Sequence, residues 1–233
     1  MHKITSFIIC IFCVMSICAA APKTHSVSSP DGTLTVKVSG DSFSVLKNGT
    51  AVIAPSRTSM VLDNGSVISV NAGTSKVRIE SFDKVIVSPV YKKSEVRDCY
   101  NEMVMTFPGY KVIFRAYDEA IAYRFVSTLK KPFKVIGEKT NIAMPCDCDA
   151  FIPYVIGFTG SDIVSQFYNS FENTYTETKI SAWAPARLAF LPLTMKNVNG
   201  YTVCLTESDL RDYPGMYVIN TDGDNSLEAV FAP

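Results

Sequence analysis

The chain has 233 residues, of which 47% are hydrophobic and 11% aromatic, and this composition is typical of a folded globular protein rather than a disordered one. Basic and acidic residues each number 22, so the formal net charge is zero. A neutral chain lacks the excess positive charge with which proteins bind nucleic acid or broad anionic surfaces, so we expect neither as a partner.

The first 20 residues have the pattern of a secretory signal peptide. A short basic start precedes an apolar run from Ile4 to Ile17, and Cys18-Ala19-Ala20 supplies the small residues of a cleavage site. The run is too short for a stable membrane span, and no later segment is apolar enough to cross a bilayer. We therefore expect cleavage after Ala20 and a mature domain over residues 21–233 that makes no membrane contact. Its expected location is secreted, in the periplasm.

Turn dipeptides divide the mature chain into short segments with the alternating pattern of β-strands. They are Asp31-Gly32, Asn48-Gly49, Asn64-Gly65, Pro108-Gly109 and Asn199-Gly200. Asn-Gly between two apolar runs is the strongest short signal for a β-hairpin. No segment has a convincing helical pattern of 12 or more residues. The sequence thus predicts one all-β domain. Two packed antiparallel sheets are favoured over a closed barrel, because a sheet with so many strands curls or splits into two packed sheets.

Aromatic and polar residues are mixed between residues 151 and 175, where the strand pattern is less regular. Phe151 to Tyr154 and Tyr168 to Tyr175 are the two richest stretches. Such rings can stack on sugar faces, although packing in the core or at its rim is the commoner role.

Four cysteines remain after the expected cleavage: Cys99, Cys146, Cys148 and Cys204. In an oxidising compartment they allow three disulfide connectivities, and the sequence does not choose among them. A zinc site is disfavoured, because only one closely spaced pair exists.

The residues needed for nucleophilic catalysis are scarce. His25 is the only histidine of the mature chain and lies close to its start, where disorder is common. A catalytic triad would depend on that residue. No glycine-rich phosphate loop occurs either, so phosphoryl transfer is also disfavoured.

Carboxylates are the better candidates for a site. Asp118 and Glu119 form one group, and Glu207, Asp209 and Asp212 form another after an apolar run. Glycoside hydrolysis uses two carboxylates, and Ca²⁺ prefers oxygen ligands. Exposed acids in turns also occur for purely local reasons, so a solvated loop is the alternative interpretation.

Several motifs resemble, in order, those of the N-terminal domain of glycoside hydrolase family 97. They are residues 29–32 (SPDG), 100–103 (YNEM), 114–125 (FRAYDEAIAYRF), 170–178 (SFENTYTET), 192–195 (PLTM) and 206–216 (TESDLRDYPGM). Each match is weak alone, but together they extend over nearly the whole mature chain.

The resemblance implies both a fold and a function. Members of the family are secreted or periplasmic α-glucosidases and α-galactosidases, in which a β-super-sandwich resembling galactose mutarotase precedes a catalytic (β/α)8 barrel and a small C-terminal β-domain. The barrel carries the catalytic acid and the base or nucleophile. Several glutamates hold an active-site calcium ion, and one of them comes from the N-terminal domain. The position that matches that glutamate here is Glu207.

The resemblance further implies that residues 21–233 do not act as an enzyme alone. The barrel, in the same or a separate chain, would be their partner and would bind an α-linked oligosaccharide. Residues 226–233 have the pattern of a strand that ends with the sequence. A stand-alone β-sandwich module that binds carbohydrate or docks a protein is the alternative.

Overall fold

The structure is a computed structural model that describes residues 22–156, 162–168, 170, 172–208, 210–220 and 222–232. The expected signal peptide therefore lies outside the described residues. In chain order the strands are β1 (Thr24–Ser28), β2 (Leu34–Ser39), β3 (Ser42–Lys47), β4 (Thr50–Leu62), β5 (Val67–Ser69), β6 (Lys76–Val87), β7 (Glu95–Phe107), β8 (Tyr110–Ala116), β9 (Ile121–Ser127), β10 (Val135–Ala143), β11 (Asp149–Ile152), β12 (Thr176–Lys179), β13 (Leu193–Val198), β14 (Tyr201–Leu205), β15 (Met216–Ile219) and β16 (Ser226–Phe231). Two short 3₁₀ turns, Val164–Phe167 and Ile180–Ala182, complete the described elements.

The strands form three antiparallel sheets. The large sheet has the order β1-β2-β3-β4-β10-β16-β15, with β5 paired to β4. One smaller sheet has the order β6-β7-β8-β9, and the other has the order β12-β11-β13-β14. The predicted all-β antiparallel fold is confirmed. In the part of the chain that is described, no helix is long and apolar enough to span a membrane.

The predicted hairpin turns lie where the sequence places them. Asn48 and Gly49 both have positive φ, 50° and 80°, between β3 and β4. Asn199 and Gly200 repeat this pair of angles between β13 and β14, with φ of 49° and 86°. Two successive left-handed residues match the twist of antiparallel strands, which explains why Asn-Gly is favoured at these positions.

One continuous hydrophobic core contains buried residues of all three sheets. Phe43 of the large sheet lies 5.8 Å from Phe114 and 5.7 Å from Tyr123, measured between ring centroids. Phe114 is fully buried. These rings pack the large sheet against the sheet of β6 to β9, as expected for a sandwich.

The prediction that His25 lies in a disordered terminus is wrong. His25 lies in β1 and pairs with Val38 of β2. Its Nε2 atom is buried and has no hydrogen-bond partner in the structure. A neighbouring strand offers backbone partners that fix a terminal segment, and this interaction explains the difference.

Candidate functional site

Glu207 lies just beyond the end of β14, on the loop that leads to β15. Its Oε1 and Oε2 atoms accept the same hydrogen bond, from the backbone N–H of Met216, at 2.9 and 3.0 Å. The carboxylate therefore connects the end of a small sheet to the first residue of β15 in the large sheet.

The geometry of β15 explains why a carboxylate is held there. β15 is the last strand of the large sheet, so one of its edges has no full neighbouring strand. The N–H of Val218 on β15 donates to the carbonyl of Ala189 at 2.9 Å. Alternate residues of a strand direct their N–H groups to the same edge, so Met216 presents its N–H beside that of Val218. Glu207 supplies the acceptor that a further strand would otherwise provide.

Glu207 is one of the residues that line an open depression of ≈ 460 Å³. The depression is lined by Phe190, Leu191, Thr206, Glu207, Leu210, Gly215, Met216 and Tyr217. Most of these side chains are apolar, and Glu207 is the only acid among the lining residues that the structure describes. A Cβ atom added at Gly215 would lie 3.4 Å from Oε1 of Glu207, so the carboxylate lies directly against the backbone of the turn.

The surroundings make ionisation of Glu207 less favourable. Burial raises the pKa of its carboxyl group, and the negative charge of Glu138 adds to that effect, while the N–H of Met216 opposes it. Burial likewise raises the pKa of Tyr217, with a further contribution from Glu207. Low polarity and a like charge are the usual causes of a raised carboxyl pKa.

Glu138 of β10 is a component of this region that sequence reasoning missed. Its Oε1 accepts a hydrogen bond from the hydroxyl of Thr140 at 2.8 Å, and its Oε2 accepts one from the hydroxyl of Tyr213 at 2.7 Å. Glu138 lies 69 positions before Glu207 in the chain, and only the pairing of distant strands brings the two together. No local sequence signal could have found it.

The other acids of the predicted group have different positions. Asp209 lies outside the described residues. Asp212 is exposed and has a left-handed backbone, with φ of 53°. Tyr213, Pro214 and Gly215 then bring the chain back to Met216.

Asp118 and Glu119 occupy the turn between β8 and β9. Oδ1 of Asp118 accepts a hydrogen bond from the N–H of Asp31 at 2.9 Å, and its carbonyl accepts one from Lys47 at 3.2 Å. Asp118 thus joins this turn to the one at Asp31, which is a structural role. Glu119 is exposed.

The four cysteines of the expected mature chain are free thiols in the structure. Cys148 is buried, and burial raises the pKa of its thiol to about 11, so it remains protonated at neutral pH. Within the described ranges, no group of three or more His, Cys, Asp or Glu side chains is arranged to hold a metal ion.

The sequence model of the family described as "Glycosyl-hydrolase 97 N-terminal" matches residues 27–232. The chain belongs to this family. Its predicted membership of glycoside hydrolase family 97 is therefore confirmed.

Relatives of this family 97 N-terminal domain include a retaining alpha-galactosidase from Bacteroides thetaiotaomicron. The two are 43% identical over 237 residues, covering 100% of this chain and 36% of the relative. The domain thus spans about a third of the length of the curated relative that it matches.

Solved structures confirm the fold of the family 97 N-terminal domain. A glycoside hydrolase family 97 enzyme from Pseudoalteromonas sp. strain K8, in complex with acarbose, matches with a TM-score of 0.71 and 22% identity, covering 90% of this chain and 32% of the enzyme. A beta-arabinopyranosidase matches with a TM-score of 0.74 and 20% identity, covering 90% of this chain and 35% of that protein. At these identities the likeness extends to the fold alone.

Proposed function

We propose that this domain packs on the catalytic (β/α)8 barrel of an α-glycosidase and contributes Glu207 as one ligand of an active-site calcium ion. The carboxylate of Glu207 in an open, mostly apolar depression is the observation that carries the proposal. The named activity of the 43% identical relative favours an α-galactoside as substrate over an α-glucoside.

The donor chemistry of Glu207 fits calcium. A carboxylate offers about four lone-pair positions, and the N–H of Met216 uses only part of that capacity. Because Ca²⁺ takes six to eight oxygen ligands, the remaining ligands would come from the barrel. When bound, calcium would act as a Lewis acid next to the sugar.

The residues of this domain would act by holding one ligand in place. The backbone N–H of Met216 fixes the position of the Glu207 carboxylate, and apolar side chains line the depression around it. A ligand held in this way costs little reorganisation when the ion binds. The acid and the base or nucleophile would belong to the barrel, so residues 21–233 would be inactive alone.

The test is a calorimetric titration of calcium into this domain joined to a family 97 catalytic barrel, which measures the calcium affinity. Glu207→Gln removes the charge of the ligand and should weaken calcium affinity and lower the hydrolysis rate of a nitrophenyl α-galactoside. Glu119→Gln, an exposed glutamate on the turn between β8 and β9, is the matched control. Unchanged calcium affinity and rate in Glu207→Gln would rule out the proposal.

The proposed location is the periplasm, reached with residues 1–20 as the signal peptide. The basic start, the apolar run and the small residues before Ala21 support it. Sequencing the exported protein from its N-terminus tests this proposal, since a chain that begins at Met1 would contradict it.

A further inference from the structure

The segment from Leu210 to Met216, here called the Tyr213 segment, contacts two carboxylates on different sheets. At its end, the N–H of Met216 donates to Glu207, which follows β14. Three residues earlier, the hydroxyl of Tyr213 donates to Oε2 of Glu138 on β10 at 2.7 Å. The same short segment therefore binds Glu207 through its backbone and Glu138 through a side chain.

Glu138 is itself fixed by a chain of hydroxyl groups that leads into the protein. The hydroxyl of Thr140 donates to Oε1 of Glu138, and the hydroxyls of Thr140 and Thr58 lie 2.8 Å apart. Thr58 and Thr140 are 2% and 3% exposed and face each other across β4 and β10. Buried and satisfied polar groups such as Thr58 and Thr140 hold a unique geometry, and the half-buried Glu138 is attached to them through the hydroxyl of Thr140.

Tyr213 is 36% exposed, and its ring also has a packing partner. It packs edge-on against Phe231 of β16, with 5.8 Å between the ring centroids. Burial, followed by the hydrogen bond to Glu138, raises the pKa of Tyr213, so the phenol keeps the proton that it donates. The contact between Tyr213 and Glu138 is a hydrogen bond to a carboxylate, a type that is stronger than one between neutral groups.

We infer that Tyr213 and Glu138 are positioning residues, which fix the Tyr213 segment so that the N–H of Met216 holds the carboxylate of Glu207 in one orientation. The importance of this orientation for an active site rests on the proposed function. The hydrogen bond between Tyr213 and Glu138 does not depend on the proposed function, because it connects residues of this chain only.

Hydrogen exchange at the amide of Met216 in the 233-residue chain tests the inference directly. Tyr213→Phe keeps the ring against Phe231 and removes only the hydroxyl. Exchange at Met216 should become at least about tenfold faster, as expected when one hydrogen bond to a charged group is lost. Glu138→Ala should have the same effect, since it removes the acceptor.

Two variants separate positioning from charge and from general destabilisation. Glu138→Gln keeps an oxygen that accepts from Tyr213 but removes the charge, so exchange at Met216 should become faster by a smaller factor than in Glu138→Ala. Tyr91→Phe, at a 56% exposed tyrosine, should change nothing. The inference is overturned if Met216 exchanges at the same rate in Tyr213→Phe as in the unmodified chain, or if Tyr91→Phe accelerates it equally.

A calcium titration of the domain joined to its barrel distinguishes this inference from the proposed function. If Glu207→Gln weakens calcium affinity, Tyr213→Phe should weaken it too, by a smaller factor. If Glu207→Gln weakens the affinity and Tyr213→Phe leaves it unchanged, Tyr213 has no positioning role. If Glu207→Gln leaves the affinity unchanged, the calcium role is wrong, while the exchange rate at Met216 still decides whether Tyr213 holds the segment.

Discussion

The carboxylate of Glu207 and the backbone N–H of Met216 join two sheets of this domain, through contacts of 2.9 and 3.0 Å. Glu207 follows a strand of a small sheet, and Met216 begins an edge strand of the large one. One carboxylate thereby satisfies a strand edge and remains open to a surface depression.

We expect Glu207→Gln to stabilise the 233-residue chain at pH 7. The folded protein raises the pKa of Glu207 above its ordinary value of 4.5, mainly through burial. The unfolded chain then releases this proton more readily, so the stability contributed by the group falls as pH rises from 4.5 through the folded-state pKa. Glutamine resembles the neutral acid and avoids that loss.

Thermal unfolding followed by circular dichroism measures the effect. The midpoint of Glu207→Gln should exceed that of the unmodified chain at pH 7, and the difference should shrink as the pH falls below 4.5. Glu119→Gln serves as the control. A midpoint at pH 7 lower than that of the unmodified chain would contradict the prediction.

Asp31 should have the opposite pH dependence. Hydrogen bonds from the Ser29 hydroxyl and from the backbone and hydroxyl of Thr33 lower its pKa to about 2. A lowered pKa gives stability that is present above the ordinary value of 3.8 and is lost as pH falls through about 2. We expect Asp31→Asn to lower the unfolding midpoint at pH 7, with the difference narrowing between pH 4 and pH 2. Asp222→Asn, at an exposed position, is the control variant.

Phe114→Ala should be among the most destabilising single substitutions in the core. Phe114 is fully buried and contacts Phe43 across the sandwich. Truncating a buried phenylalanine costs about 3–5 kcal/mol in the free energy of unfolding. Denaturant titration should show this loss, whereas Tyr91→Ala on the surface should cost no more than about 0.5 kcal/mol. Equal losses in the two variants would show that Phe114 does not pack as described.

Purified residues 21–233 should not hydrolyse a nitrophenyl α-galactoside or α-glucoside. Glycosidases place one carboxyl group on each side of the scissile bond, but among the residues that the structure describes Glu207 is the only acid that lines its depression. Asp118 instead binds the turn at Asp31. A release of nitrophenol above that of buffer, removed by Glu207→Gln, would contradict the prediction.

The hairpins that were predicted from sequence depend on local chemistry. Asn48-Gly49 and Asn199-Gly200 adopt positive φ because these residue types tolerate it, and the flanking apolar alternation needs no distant partner. β6 lacks the alternating pattern that predicts a strand, because most of its residues are exposed. Its last residues pair with the first residues of β7, which do not themselves pair with β8. No buried face therefore produces an alternating pattern there.

The sequence by itself determined the all-β class, the main hairpin turns and, through the motif around residues 206–216, the choice of Glu207 as the candidate site residue. These properties depend on residues that are close together in the chain. Only the tertiary structure decided that Met216 holds the Glu207 carboxylate and that Glu138 and Tyr213 fix the segment beside it. The order of strands in a sheet sets which distant residues meet, because a strand edge accepts any partner with free hydrogen-bonding groups, and local sequence does not specify that partner.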